Sequence, residues 1–68
     1  MMTKNEKIGV LLKAQEKLVT LLVNYDDERI REEFHRHYKE VAVLDYRIKG
    51  IKDAICAVSG LIQEERAK

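Results

Sequence analysis

The chain has 68 residues, no proline and a formal net charge of +1 at pH 7, although 37% of its residues are charged. The near balance of acids and bases argues against nucleic-acid binding driven by overall charge, and the 46% share of hydrophobic residues argues against disorder. A chain of this size forms one domain, residues 1–68, and needs a binding partner or a stabilising cross-link to be stable. Cys56 is the only cysteine, so no disulfide can form within the chain to supply that cross-link. Without a signal peptide or a membrane-length apolar run, the sequence predicts a cytoplasmic protein that does not enter a membrane.

The first predicted helix spans about residues 4–24. Thr3 is followed three residues later by Glu6, which is the spacing of a capping box. Seam positions then recur every three or four residues: Ile8, Leu11, Gln15, Leu18, Leu22 and Tyr25. Four apolar residues widen this stripe, Leu12 and Val19 on one side and Ala14 and Leu21 on the other. Such width predicts a helix contacted on more than one side, as in a bundle, or a well-buried helix in a three-helix monomer.

A turn is predicted at about residues 25–27. Asn24, Asp26 and Asp27 interrupt the apolar pattern, and both residue types compete for backbone hydrogen bonds and favour turns. Either aspartate is a good N-cap for a second helix, because its side chain can accept a free backbone N–H. The second helix is then expected from about residue 28 to about residue 65.

An apolar stripe with an average spacing of 3.5 residues runs through this second helix, as in the seam of a coiled coil. Its members are Ile30, Phe34, His37, Val41, Leu44, Ile48, Ile51, Ile55, Val58 and Ile62. The spacing passes through Gly50 and Gly60 without a slip, which favours one continuous helix. A break at Gly50 is the alternative, and it would give a three-helix monomer.

Antiparallel pairing about the predicted turn places Leu22 opposite Ile30 and Gln15 opposite His37. The last pair predicts a polar core layer that fixes the register, and protonation of His37 in acid could loosen it. The shorter first helix would leave about 25 Å of the second helix uncovered. Six residues of this overhang form the predicted oligomer interface: Ile48, Ile51, Ala54, Ile55, Val58 and Ile62. The predicted fold is therefore an all-α antiparallel hairpin with a long second helix, assembling into a coiled-coil-like four-helix bundle; a homodimer is expected, with higher oligomers open.

The sequence contains little that points to chemistry. Glu32 and His35 have the Glu-x-x-His spacing of di-iron bundles, but both fall on outer positions of the predicted seam, so no metal site is expected. Cys56 has no neighbouring base and is interpreted as a small packing residue. There is no glycine-rich phosphate loop, nucleophile elbow or zinc spacing. We therefore expect no catalytic residue, no cofactor and no enzymatic activity.

The leading functional hypothesis is a non-enzymatic, oligomerising interaction module, such as a small regulator or adaptor that binds another protein. The alternative is a helical bundle that binds RNA or DNA through a basic strip. Four residues are the candidates for nucleic-acid contacts: Arg36, Lys39, Arg47 and Lys49. Acidic residues such as Glu40 and Asp45 are interspersed with them, so the sequence favours a solvated helix with alternating charges.

The opening residues Met2-Thr3-Lys4-Asn5-Glu6-Lys7 resemble the start of the Rop family, small plasmid proteins that dimerise as two helical hairpins and bind paired RNA loops. The similarity covers six residues and is accompanied by a predicted turn at a similar place. It implies a likeness of architecture, a dimer of hairpins. The predicted second helix is much longer than in that family, and no residue of the RNA-contacting face is carried over.

Overall fold

Two long α-helices account for almost the whole chain in the computed structural model, which describes residues 1–68. Helix α1 spans Lys4–Phe34 and helix α2 spans Tyr38–Ala67, so they contain 31 and 30 residues. They pack against each other in antiparallel orientation, and there is no strand. The prediction of an all-helical hairpin is confirmed, whereas the prediction of a long second helix is wrong, because the two helices are nearly equal.

The turn lies at residues 35–37 and not at residues 25–27, where the sequence analysis placed it. Helix α1 runs without interruption through Asn24, Asp26 and Asp27, which are all exposed. An exposed Asn or Asp costs a helix no more than about 0.7 kcal/mol relative to alanine. A long helix held by packing along one face tolerates that penalty, so the polar cluster is a solvated helix surface.

Backbone hydrogen bonds close the turn around a residue in the left-handed conformation. The amide of His37 donates to the carbonyl of Glu32 at 2.9 Å, and the amide of Arg36 donates to the carbonyl of Glu33 at 3.0 Å. This is the Schellman motif, in which the residue after the C-cap has a positive φ. Arg36 holds that position with φ of 60°, although glycine is the usual residue there. His37 then becomes the N-cap of α2.

Helix α2 is continuous through Gly50 and Gly60, as the unbroken heptad spacing predicted. A break at Gly50, and with it a three-helix monomer, is therefore excluded. Neither glycine marks a close approach of two backbones within the hairpin, because a Cβ atom at either position would meet nothing within 4 Å.

The open end of the hairpin is held by a cap and by a link between the helices. Thr3 Oγ1 accepts from the amide of Glu6 at 3.2 Å, as the capping-box spacing predicted. Lys4 Nζ donates to the carbonyl of Arg66 at 3.2 Å and to the carbonyl of Lys68 at 3.4 Å. The start of α1 is thereby tied to the last carbonyls of α2, which have no partner within their own helix.

Two polar contacts fix the register of the helices. Gln15 Nε2 donates to Ser59 Oγ at 2.6 Å in a half-buried environment, and the Arg29 guanidinium pairs with the Asp45 carboxylate. The predicted polar layer of Gln15 with His37 is therefore wrong. Because the turn lies about ten residues later than predicted, each level of α1 meets a later part of α2.

The core is the seam where the two helices meet. Its buried members are Val41, Leu44, Ile48 and Ile62, all in α2. Other seam residues are half-buried, namely Ile8, Leu11, Leu18, Leu22 and Tyr25 in α1 and Ile51, Ile55 and Val58 in α2. The three-and-four spacing predicted every one of these positions. Ile30 and Phe34 were assigned to the same stripe but are exposed, because they belong to α1 and lie outside its seam.

Charged residues continue the α1 seam from Tyr25 to the turn. Arg29 follows Tyr25 by four positions, and its hydrogen bond and opposite charge with Asp45 raise the pKa of the Arg29 guanidinium. Glu32 follows three positions later and its carboxylate bonds His37 Nδ1 at 2.7 Å. The apolar stripe of α1 therefore ends before the helix does, although Val41, Leu44 and Ile48 of α2 are buried in the same half of the hairpin.

Candidate interaction surface

The hairpin leaves an unusually large surface exposed for its mass. Its accessible surface is 5487 Å², whereas a compact monomer of 8.0 kDa exposes about 4,450 Å². Its radius of gyration is 15.5 Å, compared with about 11 Å for a compact domain of this length. The excess of about 1,000 Å² follows from the shape, since two helices side by side form a rod of 50 × 15 × 14 Å without a second layer.

Apolar residues from both helices lie along one side of the groove between them. Each precedes a seam residue in its own helix, and in an antiparallel pair these positions fall on the same side. We call this surface the groove face: Val10, Ala14 and Leu21 from α1, and Ala54, Ala57 and Leu61 from α2. At the open end, Val10 and Leu61 line a shallow depression together with Lys7 and Glu65.

The same side of the groove is charged near the turn. Three glutamates and two bases line a cleft there together with Val43 and Leu44: Glu28, Glu32, Glu40, Lys39 and Arg47. The Arg47 guanidinium also lies 5.9 Å from the ring centroid of Tyr25, close enough for a cation–π contact. This side of the groove is therefore mostly apolar in its open half, where Lys7 and Lys17 are the charged α1 residues at equivalent positions, and mixed in charge in its turn half.

The predicted overhang does not exist. Ile48 and Ile62 are buried by their own chain, and Ile51, Ala54, Ile55 and Val58 are half-buried. The isoleucines and Val58 face α1, because α1 is longer than predicted and reaches the whole of α2. Of the predicted interface residues, only Ala54 belongs to the groove face.

Sequence reasoning did not assign Val10, Leu21 and Leu61 to an exposed face, and the hairpin leaves them 55%, 45% and 48% exposed. The signal was present in the width of the α1 stripe, to which Ala14 and Leu21 were assigned.

The candidate nucleic-acid contacts do not form a strip. Arg36 lies in the turn, and Lys39 and Arg47 line the same cleft as three glutamates. Lys49 is two positions from Arg47 and therefore about 200° around α2, on its other flank. The structure thus brings Lys39 and Arg47 together with acids and separates them from Lys49.

The histidines belong to the turn and are exposed. The rings of His35 and His37 lie 6.0 Å apart, and His37 bonds the Glu32 carboxylate. No group of three or more His, Cys, Asp or Glu side chains could hold a metal ion. Cys56, interpreted as a packing residue, is exposed instead.

No known protein family, curated protein or solved structure matches this chain. Neither helix contains a stretch that is long and apolar enough to cross a membrane.

Proposed function

We propose that this chain is a non-enzymatic interaction module of the cytoplasm, a small regulator or adaptor, that works as a homodimer of hairpins. The groove faces of two copies meet in the dimer and complete a four-helix bundle. The observation that carries the proposal is the excess of about 1,000 Å² of surface over a compact monomer of this mass.

The size of this excess fits a dimer interface. Two copies that each cover about 1,000 Å² bury about 2,000 Å² in total, which lies where stable and obligate homodimer interfaces begin. The composition of the groove face supports the same assembly. Leu21 and Leu61 supply apolar area, while the three alanines of the face are small enough for a second pair of helices to approach closely.

Light scattering of the purified protein tests the proposal through its mass. We expect twice the chain mass of 8.0 kDa for the wild type. Leu21 is 45% exposed in the hairpin, so Leu21→Glu removes a little under half of the about 1.5–3 kcal/mol that burial of a whole leucine supplies, in each of two copies, and it also places a charge in the interface. The dimer Kd should therefore rise at least about tenfold.

Leu12→Glu is the matched control, because Leu12 lies in the same helix with an exposure of 43% compared with 45% for Leu21, but on the other flank. It should leave the dimer intact. A monomeric wild type at tens of micromolar would refute the dimer, and equal dissociation by both variants would refute the groove face as its interface. Circular dichroism of each variant establishes that the helices are retained.

A further inference from the structure

A second apolar stripe lies on the opposite flank of α1. Its members, which we call the outer stripe, are Leu12, Val19, Val23 and Ile30, and their exposed fractions run from 43% to 62%. Each follows a seam residue and therefore points away from the groove face. The equivalent positions of α2 are small or polar: Ala42, Asp45, Lys49, Lys52, Cys56, Ser59 and Gln63. Because α1 alone supplies the apolar side chains, the stripe fits one partner helix and not a second hairpin.

Two acids complete the spacing of the outer stripe. Glu16 lies between Leu12 and Val19, and Asp26 lies between Val23 and Ile30. With them the stripe has six positions separated by alternating intervals of four and three residues, the spacing that lets one helix pack along another. The stripe therefore has the spacing of a helix-packing seam, with an acid at its second and fifth positions.

This arrangement disfavours a second copy of the chain as the occupant. Two-fold antiparallel packing of the stripe on itself would place Glu16 opposite the partner's Asp26, and the same contact would occur twice. Like charges that face each other inside an interface are repulsive and reject a partner. A helix with bases at the two facing positions turns both contacts into attractive ones.

We propose that the outer stripe binds a helix of another protein that is amphipathic and basic. That helix carries apolar residues at intervals of three and four and a Lys or Arg opposite Glu16 and opposite Asp26. From Leu12 to Ile30 the stripe is about 27 Å long, so the partner helix has about five turns. Lys13 and Asp27 flank the stripe on one side, and Asp45, Lys49 and Lys52 flank it on the other. The rim charges therefore largely cancel, and the two acids inside the stripe set the preference.

Two fluorescent peptides of about 21 residues test this proposal. They share the same apolar seam and differ only at the two facing positions, which are Lys in one peptide and Glu in the other. Anisotropy titrations against the full chain should show that the Lys peptide binds at least about tenfold more tightly at low salt. The difference should shrink as salt screens the charges. Methyl NMR shifts on addition of the Lys peptide should map to Val19, Val23 and Ile30.

Neighbouring aspartates supply a matched pair of variants. Asp26→Lys should remove most of the preference for the Lys peptide, whereas Asp27→Lys, on the rim, should change the ratio of the two affinities by less than about twofold. Equal binding of both peptides, no binding of either, or an equal effect of the two variants would each overturn the proposal. Light scattering of the same samples reports the dimer separately, so loss of the dimer and loss of peptide binding are distinct results.

Discussion

Replacing Arg36 with glycine tests where the chain turns. Arg36 has φ of 60°, and a residue with a Cβ atom loses about 1–2 kcal/mol in that conformation. Glycine removes this strain, but its greater conformational freedom in the unfolded chain reduces the gain in stability by about 0.5–1 kcal/mol. Arg36→Gly should therefore be neutral or stabilise the fold by up to about 1.5 kcal/mol.

Arg31→Gly is the control, because it makes the same chemical change inside α1, where glycine costs about 1 kcal/mol. The two variants should differ by about 1–2.5 kcal/mol in urea unfolding at one protein concentration, since dimerisation would make stability depend on concentration. Asp26→Gly extends the test to the turn that the sequence predicted. It should be destabilising like Arg31→Gly if α1 is continuous. A stabilising Asp26→Gly together with a destabilising Arg36→Gly would show that the chain turns at residue 26 and would refute the register described here.

Two further substitutions test the core and the open end. Leu44→Ala should destabilise the hairpin by about 2–5 kcal/mol in urea unfolding, because Leu44 is only 3% exposed. Leu12→Ala is the control and should change stability by less than about 1 kcal/mol, because Leu12 is 43% exposed. Similar losses of stability in the two variants would argue against the seam. The hydrogen bond and charge of Lys68 lower the pKa of Glu65 below its unfolded value, so its contribution to stability is present above the ordinary glutamate pKa and is lost as the pH falls. Thermal unfolding between about pH 6 and about pH 3 should therefore show a smaller loss of stability for Glu65→Gln than for wild type, and parallel curves would contradict this role.

Periodicity predicted the core because a buried helix face carries apolar residues at every third or fourth position of the sequence. Every seam position proposed for residues 8–25 and 41–62 is buried or half-buried in the hairpin. The capping box at Thr3 and the continuity of α2 through Gly50 were also predictable, since both depend on neighbours within a turn or two. Local signals of this kind do not depend on which parts of the two helices pack against each other.

The turn was not predictable, for two physical reasons. The true turn lacks glycine or asparagine at its left-handed position, where Arg36 stands, so the usual sequence signal of a Schellman motif is absent. In addition, the α1 seam becomes charged at Arg29, while Ile30 and Phe34 fall in phase with the stripe of α2. Apolar spacing alone cannot distinguish a new helix from a neighbouring face of the same helix. The ion pair of Arg29 with Asp45 reveals the difference, and it joins residues sixteen positions apart.

The two exposed surfaces have different consequences for assembly. The groove face is supplied by both helices, so two copies can meet there about a two-fold axis and leave no further site of the same kind open. The outer stripe is supplied by α1 alone, and Glu16 and Asp26 oppose its packing on another copy. In the proposed dimer, self-association through the groove face would therefore close at two copies, and the outer stripe would stay available in each copy. Such a division between a self-complementary face and a charge-selective face is what an adaptor needs if it is to dimerise without polymerising and still bind a different protein.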